Sequence, residues 1–381
     1  MIDCPIFLFG MIRSGTTLLS RTLSTHKNLL MASDPYMHFF KSFRNEYMLY
    51  KGNENFDCDT PLGEEIIKSN INNDNKIIFN HFNYEILNIQ LSEIKDKIIS
   101  QALRDSPKII PYIKKIKSNN YGDLLDKLIE IIQLSYGNSN KTMYGFKTTF
   151  AEQFISPILN RFKKAKIIII IRDPRAIYAS HINEHEKQYP LLFIIKQWRK
   201  SVLYALKHMH QKKNVFIVKY EDLILKKNLK LREICEFLEL EFDKIMLDEN
   251  RLIDGKGNKW IRNTSYNIED KKEVNLFAWQ DKLSKRTIKF IEYLTKFELE
   301  KFGYDVSFNS NNFIENIEPI HEIYDDIYDW IKPYYDNYKL SDKVIKDEYK
   351  RIKIMQKNIS GYDLDSNILS NFLYKEFINM S

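Results

Sequence analysis

The sequence predicts a three-layer α/β/α fold built on a central, mainly parallel sheet. Three observations carry that expectation. Five short segments are apolar and rich in β-branched or aromatic residues, as buried strands are. Each is followed by a turn or helix pattern, and strands that alternate with helices form parallel sheets covered on both faces. One segment ends in five consecutive isoleucines, Ile167–Ile171, which suits a central strand buried on both sides.

The strands are expected at Pro5–Gly10, Leu29–Ser33, Met143–Lys147, Lys166–Ile171 and Val215–Tyr220. Between about Tyr50 and Lys141 the pattern changes to amphipathic helices and polar, Asn-rich turns. That stretch reads as a helical insertion, either one that covers a site and chooses what enters it or a loop-and-helix filler with no function of its own. After Tyr304 the chain becomes rich in Tyr, Asp and Lys, with helical periodicity from about Ile320 to Tyr374. The expected organisation is one domain over residues 1–305, with the insertion at about 50–141, and a helical C-terminal extension over 306–381. No internal repeat is evident.

Composition narrows the function classes. The chain has 381 residues, 44% hydrophobic and 29% charged, enough for one large α/β domain. The net charge of +7 suits an anionic ligand such as a nucleotide. A nucleic-acid partner is not expected, because the lysines are dispersed and balanced locally by Asp and Glu. Cys4, Cys58 and Cys235 lack CxxC spacing, which argues against a disulfide framework or structural zinc and for a reducing compartment. Only Met1–Cys4 precede the first strand, and no run of about 18 apolar residues occurs. The expectation is a cytoplasmic protein with no membrane span. Sequons at Asn140, Asn263, Asn358 and Asn379 read as chance matches in an Asn-rich chain.

The first strand ends in Gly10-Met11-Ile12-Arg13-Ser14-Gly15-Thr16-Thr17, and Leu18-Leu19 continue into a helix. The spacing G-x4-G followed by a hydroxyl residue is that of a P-loop, with Thr16 where nucleotide triphosphatases keep Lys. Glycines let successive N–H groups face an anion, and the helix start adds unpaired donors and partial positive charge. Arg13 supplies a cation; Ser14, Thr16 and Thr17 are candidate hydroxyl donors. Without the Lys that bridges β- and γ-phosphates, the loop suits one phosphate with an ester or anhydride partner better than a triphosphate. The fold expected is therefore of the P-loop type.

A second anion site is expected after the fourth strand, at Arg172-Asp173-Pro174-Arg175. Asp173 is a good N-cap and Pro174 a good first helical residue. Arg172 then sits at the carboxyl edge of the sheet, where ligands bind in open α/β folds, and Ser180 falls in the second helical turn. An Arg fork plus a hydroxyl can clamp a phosphate. A Walker B reading, with Asp173 holding magnesium, is disfavoured by Arg172 and Pro174 on either side of it.

The segment Pro5–Leu19, with its Arg13-Ser14-Gly15-Thr16-Thr17-Leu18 core, resembles the phosphosulfate-binding loop of sulfotransferases that use 3'-phosphoadenosine-5'-phosphosulfate (PAPS), in the style of the tyrosylprotein and bacterial branches. Arg172 and Ser180, eight residues apart, match that family's 3'-phosphate motif. Lys219-Tyr220-Glu221-Asp222-Leu223 resembles its YEDL segment, in which the Tyr lies by the adenine. Asp254–Tyr266 resembles the loop that closes over the nucleotide, with Lys256, Lys259, Arg262 and Ser265 as candidates. The likeness covers about Pro5–Tyr36 and Met143–Tyr304.

The resemblance implies transfer of a sulfuryl group from PAPS to an acceptor hydroxyl or amine, leaving adenosine 3',5'-bisphosphate, with no metal required. Sugar, lipid, tyrosine and small-alcohol acceptors fit equally. Lys147 matches a family Lys near the transferred group; with Arg13 it would stabilise the bridging and equatorial oxygens. The base is expected in the loop after the second strand. Asp34 stands where the tyrosylprotein branch has Glu, with a shorter reach, and His38 is the alternative. His181 and His185 are four apart on one helix, but no third ligand supports a metal there. Two rivals stay open, a P-loop kinase and a nucleotide-binding protein without catalysis. Oligomeric state is not legible.

Overall fold

The structure, a computed structural model, describes residues 4–50, 58, 59, 62, 81–136, 141–182, 189–260, 275–307, 327–332 and 352. The chain divides into two compact units. The first comprises Met1–Cys58, Asn70–Ile171 and His208–Asn263; the second comprises Asp59–Ser69, Arg172–Lys207 and Thr264–Ser381.

The first unit holds the sheet. Its strands are β1 (Ile6–Gly10), β2 (Leu29–Ser33), β3 (Met143–Thr149), β4 (Lys166–Ile171) and β5 (Val215–Lys219), in the order β2-β3-β1-β4-β5 with every neighbour parallel. β1 and β4 are buried along their whole length, as the isoleucine run predicts. Strand ends agree with the expectation except that β1 begins at Ile6, β3 runs on to Thr149 and β5 stops at Lys219, Tyr220 opening the next helix. Because all five strands are parallel, Gly10, Ser33, Thr149, Ile171 and Lys219 end at one edge. The order reverses at β1, whose neighbours β3 and β4 lie on opposite sides, and such a switch point opens a crevice at the carboxyl edge.

Helix α1 (Thr16–Ser24) connects β1 to β2 in the direction opposite to the later crossovers. Right-handed connections therefore place α1 on one sheet face and the β2-to-β3 and β3-to-β4 connections on the other. The β2-to-β3 connection carries α2 (Met37–Tyr50) and the insertion helices α3 (Asn88–Asp105), α4 (Ile110–Lys115) and α5 (Tyr121–Tyr136). The β3-to-β4 connection carries α6 (Ile155–Arg161).

The insertion packs into this core. Phe82 and Tyr121 interlock with Phe39, Phe40 and Phe43 of α2, with ring centroids 4.8 Å apart for Phe43–Phe82 and 5.8 Å for Phe39–Tyr121. All five rings are fully buried, and each such Phe contributes about 1.5–3 kcal/mol by leaving water. The Tyr36 hydroxyl donates to the Leu128 carbonyl at 2.7 Å. After β5, α9 (Tyr220–Leu225) and α10 (Lys227–Phe237) complete the unit, followed by a turn at Ile253–Lys259.

The second unit contains α7 (Pro174–Ile182), α8 (Leu191–His208, its last residue excepted), α11 (Trp279–Lys282) and α12 (Lys285–Lys301). Arg199 of α8 and Glu298 of α12 form a buried ion pair, Nε to Oε1 at 2.8 Å. Of the expected C-terminal extension, 327–332 and 352 are described; the rest lies outside the described residues. Tyr328 stacks on Tyr189 at 4.4 Å, and Trp330 meets Phe193 edge-on at 5.6 Å.

Candidate active site

The loop after β1 is shaped by contacts that only glycine permits. A Cβ on Gly10 would lie 2.7 Å from the Ile170 carbonyl oxygen. Gly15 has φ 93°, and a Cβ there would run into the Tyr220 ring. Arg13 also adopts a left-handed conformation, φ 62°, which is strained for a residue with a Cβ. Gly15 is the N-cap of α1 and supplies no side-chain bond, and the first turn carries no acidic residue. The first-turn amides of α1 are thus not capped by a side chain, which is the local condition for anion binding.

The hydroxyls expected as donors divide. Ser14 is fully buried, and both its N–H (3.2 Å) and its hydroxyl (2.6 Å) donate to the Met11 carbonyl. It shapes the loop instead of presenting its proton outward. Thr16 is buried and Thr17 half-buried. Tyr220, at the start of α9, is buried against Gly15.

Lys147 is the fifth residue of β3, with Leu8 of β1 and Ser33 of β2 as register partners. Asp34 follows β2 directly, and its N–H donates to the Lys147 carbonyl at 3.0 Å. The Lys147 ammonium donates to Asp34 Oδ2, with the two side chains 6% and 15% exposed. Asp34 has φ 44°, a left-handed conformation that Asp tolerates better than most residues. Its second oxygen, Oδ1, is buried with no hydrogen-bond partner among the described residues. A fixed carboxylate with one oxygen held by a cation and the other unused is built to take a hydrogen bond from something else.

His38, the alternative base, is half-buried in the first turn of α2. Burial first, then Lys41 and Lys97, lower its pKa to about 4. The imidazole is neutral at pH 7, but a group with that pKa is a weak proton acceptor. The shift has a consequence for stability. Between the folded value near 4 and the unfolded value near 6.5, the unfolded chain binds more protons, so stability falls as pH drops through that window. Denaturant midpoints measured from pH 7 to 4 should fall, and His38→Gln should flatten the fall. An unchanged slope in the variant would contradict the burial of this ring.

The Asp254–Lys259 segment is a closed turn. Asp254 Oδ1 accepts from the N–H groups of Lys256 (2.8 Å) and Asn258 (2.9 Å), and Gly257 has φ 94°. The exposed Lys259 ammonium donates to Asn250 Oδ1 at 3.5 Å. Arg262 and Ser265 lie outside the described residues.

In the second unit, the start of α7 is heavily tied. Asp173 caps the helix, accepting from the Arg175 N–H at 2.8 Å. The Arg175 guanidinium binds both Asp173 oxygens, reaches Glu292 and the Asp305 carbonyl, and lies 4.1 Å from the Trp279 ring centroid. Burial lowers the Arg175 pKa, yet Asp173 and Glu292 together hold it above the ordinary arginine value. With both oxygens engaged by Arg175, Asp173 is not arranged as a magnesium ligand. Arg172 is half-buried, and its carbonyl accepts from the Trp198 indole at 2.7 Å. Ser180 is buried and donates its hydroxyl proton to the Ile177 carbonyl at 3.0 Å. The side chains of His181 and His185 lie outside the described residues.

Among the described residues no group of three or more His, Cys, Asp or Glu could hold a metal ion, and no helix is long and apolar enough to cross a membrane. No disulfide links the three cysteines.

The model of the family described as "Sulfotransferase family" matches residues 5–244, from the strand before the phosphate loop to beyond α10. The chain belongs to the sulfotransferase family. This sulfotransferase therefore has the fold its sequence predicts, a parallel five-stranded sheet of the P-loop type with flanking helices, and it is a transferase. No curated protein sequence matches it. Among solved structures it is similar to a sulfotransferase domain from the curacin biosynthetic pathway, at 16% identity over 80% of this chain and 99% of that one, TM-score 0.46. A sulfotransferase domain from the Synechococcus PCC 7002 olefin synthase matches at 17% identity over 80% and 96%, TM-score 0.48. Retinol dehydratase, in complex with androsterone and inactive cofactor PAP, matches at 13% identity over 82% and 84%, TM-score 0.39. These scores are too low to add to the family assignment.

Sequence reasoning did not single out Arg21. It lies in α1, 7% exposed, with no hydrogen-bond partner for Nε among the described residues. A helical Arg in a polar stretch reads as solvent-facing, but here Asp34, Asp105, Tyr136 and Asp254 come close to it from distant segments.

Proposed function

We propose that this sulfotransferase uses PAPS to sulfate an acceptor hydroxyl, with Asp34 as base and Lys147 and Arg13 stabilising the transferred group. The observation that carries the reading is the buried Lys147–Asp34 pair at the carboxyl edge of the sheet that also carries the uncapped start of α1. Gly10 and Gly15 let the loop close against Ile170 and Tyr220, and the α1 amides it leads into are capped by no side chain, so the residues present fit the 5'-phosphosulfate end of the donor. Thr16 and Thr17 add donors there, and Ser14 and Tyr220 keep the loop in shape. Arg172 and Ser180 are assigned to the 3'-phosphate from their sequence motif; Ser180 would turn its hydroxyl from the Ile177 carbonyl to do so. Lys259, Arg262 and Ser265 are assigned to the same nucleotide from their sequence pattern alone.

In the reaction the acceptor oxygen bonds to sulfur while the sulfur–oxygen bond to the 5'-phosphate breaks. The acceptor proton passes to Asp34, and the products are a sulfate ester and adenosine 3',5'-bisphosphate. Lys147, held beside Asp34, offers positive charge to the oxygens where charge develops. A sulfuryl monoanion asks for less neutralisation than a phosphoryl dianion, so the cations of the chain suffice. Asp34 is preferred to His38 because the Lys147 ammonium fixes its carboxylate and leaves one oxygen to accept a proton.

Calorimetric titration with adenosine 3',5'-bisphosphate, without magnesium, tests the donor site. Micromolar binding is expected, weakening tenfold or more in Arg172→Ala, or about 1.4 kcal/mol. Absence of binding, or binding of ATP–magnesium in its place, would overturn the reading and favour a P-loop kinase.

A further inference from the structure

Three chain segments meet at the carboxyl end of β2. The Ser106 hydroxyl donates to the Ser33 carbonyl at 2.9 Å, fixing the end of α3 beside Asp34. Gly255 packs so closely on the Asp105 carbonyl that any Cβ would overlap it. Arg21 of α1 lies among them, close enough to feel the charges of Asp105, Asp254 and Asp34 and the Tyr136 hydroxyl. Two buried polar atoms here, Arg21 Nε and Asp34 Oδ1, lack hydrogen-bond partners among the described residues, and a third such atom, Gln101 Oε1, belongs to the residue one turn before Asp105 on α3.

A buried polar atom that nothing meets has lost its water without compensation. The nearby carboxylates are already engaged. Asp105 accepts from Arg104 Nε at 2.7 Å, and Asp254 accepts from the amides of its own turn. What remains is one donor, Arg21 Nε, and two acceptors, Gln101 Oε1 and the Asp34 oxygen expected to take the acceptor's proton.

We propose that the cluster of Arg21, Gln101 and Asp34 is the acceptor subsite and selects a hydroxyl-rich acceptor of the saccharide class, without carboxylate or phosphate groups. The proposal rests on the sulfotransferase reading above. A saccharide presents several hydroxyls, each both donor and acceptor, so one ligand answers a mixed set. An anionic acceptor would face the charges of Asp34, Asp105 and Asp254. An alkyl or sterol alcohol brings one hydroxyl and leaves two of the three polar atoms buried and unmet. Arg21 binds and orients the acceptor, while Asp34 does the chemistry.

The test uses the full chain with PAPS and reads release of adenosine 3',5'-bisphosphate with N-acetylglucosamine, maltotriose, p-nitrophenol and octanol as acceptors. A saccharide is expected to be the preferred acceptor. Arg21→Met should raise its KM at least tenfold, with the affinity for adenosine 3',5'-bisphosphate unchanged by calorimetry. Gln101→Leu, at a less buried position, carries the same test if Arg21→Met does not fold. Preference for p-nitrophenol or octanol, no saccharide turnover despite nucleotide binding, or a saccharide KM unmoved by the variants would each overturn the inference. Failure of nucleotide binding in the parent chain would instead overturn the donor reading.

Discussion

Lys147→Ala should slow sulfuryl transfer by about 10²–10³, the usual effect of removing one donor aimed at developing charge. The nucleotide should bind almost as before, because the glycine loop and the α1 amides are untouched. The loss then falls on kcat and not on nucleotide affinity, the pattern of an interaction made only in the transition state. Asp34→Asn removes the base but leaves Lys147 in place, and it should cost about 10²–10⁴. The two side chains touch each other, so their effects should not add. The measurement is single-turnover release of adenosine 3',5'-bisphosphate for both single variants and the double variant. Strict additivity would mean that the pair does not act as a unit. Normal rates in Asp34→Asn, with a slow His38→Gln, would move the base to His38.

Arg199→Leu should lower stability by about 3–5 kcal/mol, because it strands Glu298 in the core. Arg199 and Glu298 are 3% and 0% exposed, and Oε1 of Glu298 is held by Arg199 Nε at 2.8 Å. The other oxygen, Oε2, has no hydrogen-bond partner among the described residues, so Arg199 is the main compensation for that charge. Thermal unfolding of the variant should shift down by on the order of 10 °C. The double variant Arg199→Leu/Glu298→Leu should recover much of the loss, since a buried pair is often replaceable by apolar side chains. A double variant no better than the single one would show that the carboxylate is not the source of the damage.

By itself the sequence determined the elements and their chemistry of approach. Apolar β-branched runs such as Ile167–Ile171 announce a buried strand because each residue's burial is encoded in its own side chain and near neighbours. The Gly10–Thr17 spacing announces an anion loop because its geometry depends on two glycines a few residues apart. Asp173 announces a helix cap for the same local reason, and Asp173 does cap α7. The tertiary structure alone decided how distant residues combine. Lys147 and Asp34, 113 residues apart, become partners only because β2 and β3 pair with Ser33 opposite Lys147. Ser14 directs its proton inward, Tyr220 lies on Gly15, and Arg21 is buried because of what packs on each of them. The insertion, legible as helices, is joined to the core through Phe82 and Tyr121, a match of ring shapes that no local pattern encodes. Local propensity and spacing are properties of a few consecutive residues. Partnership, desolvation and unmet hydrogen bonds are properties of the packed interior, and they exist only once the sheet's register has been set.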